Sequence, residues 1–329
     1  MHKKLITFIL LIIVPFSLSS CSKNQHNMET VNLVLDWTPN TNHTGIYVAK
    51  ELGLFQENNL NVNIVQPPED ASIVLVGSGN AQFCISFQDS FAMALTSNTP
   101  VPATAVATIL KHNTSGILSK KESNIFSPKD LEGKVYSSWN SPIELAMLKN
   151  IVKRDLGNFE YIDIVPNSTS DAASALLSGI DAASAYYGWD VIASKVNNIN
   201  TNFFRFADIN PTLDFYAPII IANNNYLKEK PEITRKFLKC LDQGYNYCID
   251  NPIESAEILL KYNPELNRDL VIDSQMWLST QYKAEDQYWG TIDKNRWSKY
   301  FEWLYKENLI SKDLKSEGFT NDYLNLGSD

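Results

Sequence analysis

The sequence predicts an α/β protein built as two lobes with a cleft between them, and three observations carry that prediction. After residue 30, short β-rich runs alternate with helical ones, the pattern of α/β architecture with largely parallel sheets. Two distant stretches echo each other, DASIVLVGSGNAQFCISFQD at 70–89 and DAASALLSGIDAASAYYGWD at 171–190. Each passes from an acidic residue through a helix and a Gly-containing turn to a strand that closes on Asp. Two extended segments, 111–121 (KHNTSGILSKK) and 214–222 (DFYAPIIIA), can join such units, so the chain crosses between lobes twice and can close on a ligand by hinge motion. The 329 residues suit one large or two medium domains.

The elements follow in order. Residues 1–20 begin with Lys3 and Lys4 and carry an apolar run from Leu5 to Leu18 that is too short to span a bilayer comfortably, so they read as a signal peptide. Strands are expected at VNLVLDW, NVNIVQ, AQFCISF, ATAVATIL, KVYSSW, YIDIVP, AASAYYG and APIIIA. Between them, Ser127-Pro128 and Ser141-Pro142 each place Ser at a helix N-cap and Pro at the first helical position, and Glu144 would complete a capping box with Ser141. From residue 225 the chain is mostly helical and is expected to return to the first lobe. The expected division is therefore 31–113 plus 220–329 for lobe I and 114–219 for lobe II.

Charge and cysteines exclude several classes. The net charge is −9, and loss of a leader with two lysines makes it about −11, a surface that repels phosphate backbones and excludes nucleic acid as a partner. Cys240 and Cys248 lie eight apart in a helical pattern, roughly 12 Å along the axis and too far for a disulfide. With Cys84 they read as small buried apolar residues. There is no GxSxG, HExxH or P-loop, so no catalytic constellation, cofactor or metal is expected. The polar segment DWTPNTNHTG at 36–45 stands out between an apolar run and a helical one. In open α/β sheets ligands bind beyond the carboxyl ends of strands, so this loop and the two echoing strand tips are expected to face a common cleft.

LDWTPNTNHTGIYVAKELGLF, EDASIVLVGSGNAQFCISFQD, HNTSGILSKK and PKDLEGKVYSSWNSPIE resemble the NMT1/THI5-like group of type II periplasmic binding folds. Within it they are most similar to the ThiY-type pyrimidine-precursor-binding lipoproteins of ABC transporters. The likeness runs from about residue 30 to 260, and the tail resembles the family only in its aromatic spacing. The resemblance implies a monomeric two-lobe receptor, not an enzyme, that captures a formylated aminopyrimidine from thiamine breakdown and delivers it to a membrane permease. Leu18-Ser19-Ser20-Cys21 resembles a bacterial lipobox, which implies lipidation of Cys21, a tether over 21–30 and a place on the outer face of the cell membrane; the plain alternative is a secretory leader followed by a chance Cys. Sibling receptors that carry a flavin or another heterocycle share the opening motif, so that cargo stays open. The family also contains a pyrimidine synthase that consumes its own histidine. Here Ser90 stands where that histidine would fall, and the region just before APIIIA, where the synthase carries a Cys-rich segment, has no cysteine.

A flat aminopyrimidine needs aromatic faces to stack on and hydrogen-bond partners in its plane. Trp37 ends the first strand and is either a stacking wall or a core residue. Asn40 and Asn42 either meet ligand or only turn the loop. His43 precedes a helix and is either a ligand contact or a satisfied structural imidazole. In the second tip Ser86, Gln88, Asp89 and Ser90 can reach the cleft, although Asp89 suits equally a cap on the helix SFAMALTSN. In lobe II, Tyr187, Trp189 and Asp190 offer a stacking face beside an acceptor, with Asp where relatives are expected to carry Glu. Trp139 and Glu144 follow another strand end, and Tyr216 lies in the second crossing. The aromatic tail reads as packing of terminal helices.

Overall fold

The computed structural model describes residues 28–66, 72–166 and 171–327; the leader and Cys21 lie outside them. No helix among the described residues is long and apolar enough to cross a membrane. The described residues form two five-stranded sheets. The first combines β1 (Glu29–Val34), β2 (Leu60–Val65), β3 (Phe83–Ser86), β4 (Ala103–Thr108) and β10 (Ile219–Asn223) in the order β2-β1-β3-β10-β4. The second combines β5 (Ser115–Lys120), β6 (Val135–Ser138), β7 (Asp163–Pro166), β8 (Ala182–Tyr186) and β9 (Thr201–Arg205) in the order β7-β6-β8-β5-β9.

The two orders are the same pattern. In each sheet a parallel trio is followed by the strand entered straight from the other lobe, β10 in the first and β5 in the second. That strand runs antiparallel to both its neighbours, so the sheets are mixed where parallel pairing was expected. Two strands escape the sequence reading. β5 lies inside the segment taken as a crossing; it is central and buried along almost its whole length, so it shows no alternation. β9 is an edge strand, half-buried throughout, with no clear pattern either. β1 starts at Glu29, inside the expected tether, because Glu29 and Thr30 already pair with Leu60 and Asn61.

Side chains sort by the period-two rule. Val31, Leu33 and Leu35 face one buried cluster with Phe237, Leu241 and Tyr245 of the helix Pro231–Asp250. Val34 faces another, with Trp297, Tyr300 and Leu304 of the helix Lys294–Lys306. The three cysteines are free and buried, as apolar filling requires. The Ser141-Pro142 start is present, but Ser141 makes no side-chain cap and Glu144 does not close a capping box. Glu144 instead turns inward to accept from Tyr136 (3.0 Å) and Ser138 (2.8 Å).

The tail is not confined to the first lobe. From the helix Arg268–Leu278, Ser274 bonds Thr41 of lobe I at 2.5 Å and also donates to the Gly188 carbonyl of lobe II. The tail braces the crossings as well. His112 on the first crossing bonds Asp214 on the second (2.7 Å) and Glu285 of the tail (2.9 Å), and Arg296 reaches Asp214 at 3.1 Å. Asp214 also accepts from the Asn113 amide at 2.9 Å.

The hydrogen bond to Asp214, with help from Glu285, raises the His112 pKa above its ordinary value despite partial burial and the Arg296 charge. A histidine raised in the folded state stabilises below its unfolded value of about 6.5, and that contribution is lost as pH rises through the folded value. His112→Gln is therefore expected to lower the melting temperature relative to wild type at pH 5.5, with the gap narrowing as pH climbs past the raised value. Melting curves from pH 5.5 to 9 check it, and a constant gap would remove the charge from the explanation.

Candidate functional site

Each cleft group sits at a strand end, where backbone pairing stops and side chains turn outward. Trp37 follows β1 and Trp139 follows β6, one from each lobe. They are 46% and 49% exposed, yet their rings meet edge to face at 6.4 Å. The echoing strand tips also meet. Phe87 after β3 and Tyr186 at the end of β8 stack at 6.2 Å with 17° between planes. The polar opening loop and the two echoed units therefore converge on one interlobe cleft with four aromatic rings.

Acidic groups surround Tyr186. Burial, followed by the charges of Asp89, Asp36, Asp190 and Glu144, pushes its hydroxyl far above the phenol range. Asp36 bonds His43 through Oδ1 (2.7 Å), and Asp89 accepts from the Ser90 amide through Oδ1 (2.7 Å). No hydrogen bond is made by the Oδ2 of either carboxylate among the described residues. Burial raises the carboxyl pKa of both Asp89 and Glu144. Such a site presents acceptors and protonatable carboxyls to a flat ligand between aromatic faces.

The expected contacts separate under this geometry. Trp37 and Trp139 meet between the lobes, Asp89 and Ser90 lie half-buried in the first turn of the helix Gln88–Thr96 that follows β3, and Asn42 is half-buried in its loop. Ser86 closes β3 and is buried. Glu144 stands behind the Trp139 strand end, with both oxygens bonded within the lobe. Asn40 accepts from the Asn42 amide at 2.9 Å as the cap of the short helical turn Thr41–His43.

Several others serve different places. His43 is fully buried; its Nδ1 accepts from the Asn40 amide (3.2 Å) and its Nε2 bonds Asp36, so both ring nitrogens are spent on the loop. Its job is to aim Asp36. Gln88 is also fully buried and clamps the second crossing, accepting from the Tyr216 amide (3.0 Å) and donating to the Trp297 carbonyl (3.1 Å). Asp190 is buried and accepts from the amides of Tyr186 (2.8 Å) and Ala172 (3.3 Å), with desolvation raising its pKa to about 6. It ties the end of β8 to the helix Ala172–Leu177, so its removal costs stability as well as charge.

Three aromatic expectations point elsewhere. Tyr187 lines a cavity of about 330 Å³ with Phe203, Arg205 and Trp277. Trp189 packs against the first lobe's apolar cluster. Tyr216 is fully buried, its ring under the Arg296 guanidinium at 4.0 Å, beside a cavity of about 460 Å³ that also includes Lys111 and Asp286. The sequence reading missed Asp36, Phe87 and Tyr186. Each stands one residue before one that was chosen, and for Phe87 and Tyr186 that one-residue slip at a strand end turns the side chain to the other face.

Two mixed α/β sheets, joined by two crossings around such a cleft, are the architecture of periplasmic solute-binding proteins. The alkanesulfonate-binding protein SsuA from Xanthomonas axonopodis pv. citri, solved with MOPS, shares the fold at TM-score 0.67 and 12% identity, covering 88% of this chain and 98% of that one. The chain belongs to the NMT1/THI5-like family, whose model matches residues 40–255. It is 27% identical to the formylaminopyrimidine-binding protein of Halalkalibacterium halodurans over 95% of this chain and 96% of that protein. It is also 26% identical to the 4-amino-5-hydroxymethyl-2-methylpyrimidine phosphate synthase of Legionella pneumophila over 73% and 76% of the respective chains.

Proposed function

We propose that this protein is the binding component of an ABC importer, taking an aminopyrimidine precursor of the formylaminopyrimidine type into the interlobe cleft and passing it to a membrane permease. One observation carries the reading: exposed Trp37 and Trp139 face each other from opposite lobes, while Asp36 and Asp89 follow the paired strands β1 and β3, each with one carboxylate oxygen bonded to its own loop. Aromatic faces take the ring and carboxylates accept from its exocyclic amine. The relationship to a formylaminopyrimidine-binding protein across nearly the whole chain supports the same cargo. A flavin fits less well, because its pyrimidine edge turns two carbonyl acceptors toward groups that are themselves acceptors. The relationship to a pyrimidine phosphate synthase favours an enzyme, but Ser90 stands where the consumed histidine is expected and His43 is fully engaged.

Lipidation at Cys21 would hold such a receptor at the extracytoplasmic membrane face beside its permease. Native mass spectrometry of the protein purified from its own cells tests the cargo. The reading expects a non-covalent adduct with the mass of a small aminopyrimidine. A flavin adduct, or covalent loss from a histidine, would replace it with the receptor's sibling cargo or the synthase.

A further inference from the structure

Two covalent crossings join the lobes, and a third link between them is not covalent. The helix Arg268–Leu278 belongs with the first lobe, where Val271 and Leu278 sit in its apolar cluster and Gln275 accepts from Tyr282 at 3.1 Å. The same helix seats the turn Tyr187–Val191, which follows β8 of lobe II. Trp277 lies on Tyr187 with ring centroids 4.6 Å apart. Gly188 comes so close to the helix that a Cβ there would meet the Trp277 ring at 3.0 Å and the Leu278 side chain at 3.2 Å.

Ser274 completes the link. It is fully buried, and its hydroxyl donates to the Gly188 carbonyl, so its one proton is spent and it accepts from the Thr41 hydroxyl at 2.5 Å. A single hydrogen-bonded line, Thr41 to Ser274 to Gly188, thus joins the loop that carries Asp36 and Trp37 to the tip that carries Tyr186. Every partner in it is a protein group, so the link forms with or without ligand. Tyr187 and Gly188 move with lobe II, and Tyr186 directly precedes them. A rotation that parts Tyr186 from Phe87 across the cleft therefore also pulls Gly188 from Ser274 and Tyr187 from Trp277. Beyond the stacked rings a cavity of about 330 Å³ lies between Trp277 and Gln281 on one side and Phe203, Arg205 and Asp208 on the other, so the seat can part there without displacing packed side chains.

We propose that this seat is the gate of the cleft: ligand enters and leaves only after Tyr187 and Gly188 come off the helix Arg268–Leu278, and Ser274 sets how often they do. Ser274 touches no ligand and acts through the lobes as a positioning residue. The gate rests on the reading of the cleft as an aminopyrimidine site. Because the link holds the empty and the filled receptor closed alike, weakening it raises the open fraction of both. Entry and exit then quicken together, and affinity stays nearly constant. A group that serves only the filled form behaves differently, since its loss speeds exit alone and weakens Kd.

Stopped-flow binding of formylaminopyrimidine to Ser274→Ala separates these cases. Removing one hydrogen bond should raise both kon and koff by about three- to tenfold, with Kd within about threefold of wild type. A merely structural hydroxyl would lower the melting temperature without speeding entry. Gly188→Ala reaches the same seat from the other lobe and should give the same paired rise; it decides alone if Ser274→Ala does not fold. Ser279→Ala is the control, because that hydroxyl bonds the Met276 carbonyl within the tail (2.8 Å), and both rate constants should match wild type. Wild-type rate constants in Ser274→Ala and Gly188→Ala, or a rise in koff alone, overturn the gate and leave the cargo intact. Absence of formylaminopyrimidine binding in wild type overturns the cargo and this inference together.

Discussion

Replacing Trp37 and Trp139 together by Ala is expected to weaken formylaminopyrimidine binding by about a hundredfold while leaving the unliganded fold near wild-type stability. Base-like rings on aromatic side chains are worth roughly 1–3 kcal/mol each, so two walls contribute about 3 kcal/mol, or two decades in Kd. Both side chains are about half exposed, and among the described residues each makes its only ring contact with the other, so little core packing is lost. Because the two walls belong to different lobes, either single substitution should also reduce the gain from closure, and the pair should be non-additive. Calorimetry on the two single variants and the double variant checks this. A double variant within threefold of wild type would take the rings out of the site.

The second large effect is on stability. Gly244→Ala should cost about 3 kcal/mol and lower the melting temperature by roughly 6–12 °C, read by thermal unfolding. A Cβ at Gly244 would fall inside van der Waals contact of the Gly45 carbonyl oxygen, and a Cβ at Gly45 would lie 2.5 Å from the Tyr245 ring. These glycines let the helix Pro231–Asp250 lie directly on the helix Thr44–Glu51. Backbone on one side and a buried Tyr on the other leave nothing flexible to yield. The same contact supports the site, since Tyr245 donates to the Asn42 carbonyl at 2.7 Å and so holds the loop that aims Asp36 and Trp37. A melting temperature within about 2 °C of wild type would mean the helices can separate at little cost.

The lobes and the cleft are legible in the sequence because they rest on repeated, local signals. The echo of 70–89 in 171–190 places two strand tips, and the tips Phe87 and Tyr186 do stack. The facing of individual side chains is not legible in the same way. Tyr186 and Tyr187 differ by one position, and the chain changes from β8 to a π-helical turn (Tyr187–Val191) between them, so alternation gives no guide. Polar residues mislead for a second reason. His43, Gln88 and Asp190 look like ligand groups, but burial obliges each to bond the chain itself, and the partners are up to 209 residues away.

The central claim is that the cleft selects a small aminopyrimidine by aromatic walls and carboxylate acceptors. Calorimetric titration of the purified protein with formylaminopyrimidine, beside riboflavin under the same conditions, tests it most directly. The account predicts one-to-one binding of the pyrimidine at micromolar or tighter Kd and no heat from riboflavin. Saturable riboflavin binding with no response to the pyrimidine would contradict it.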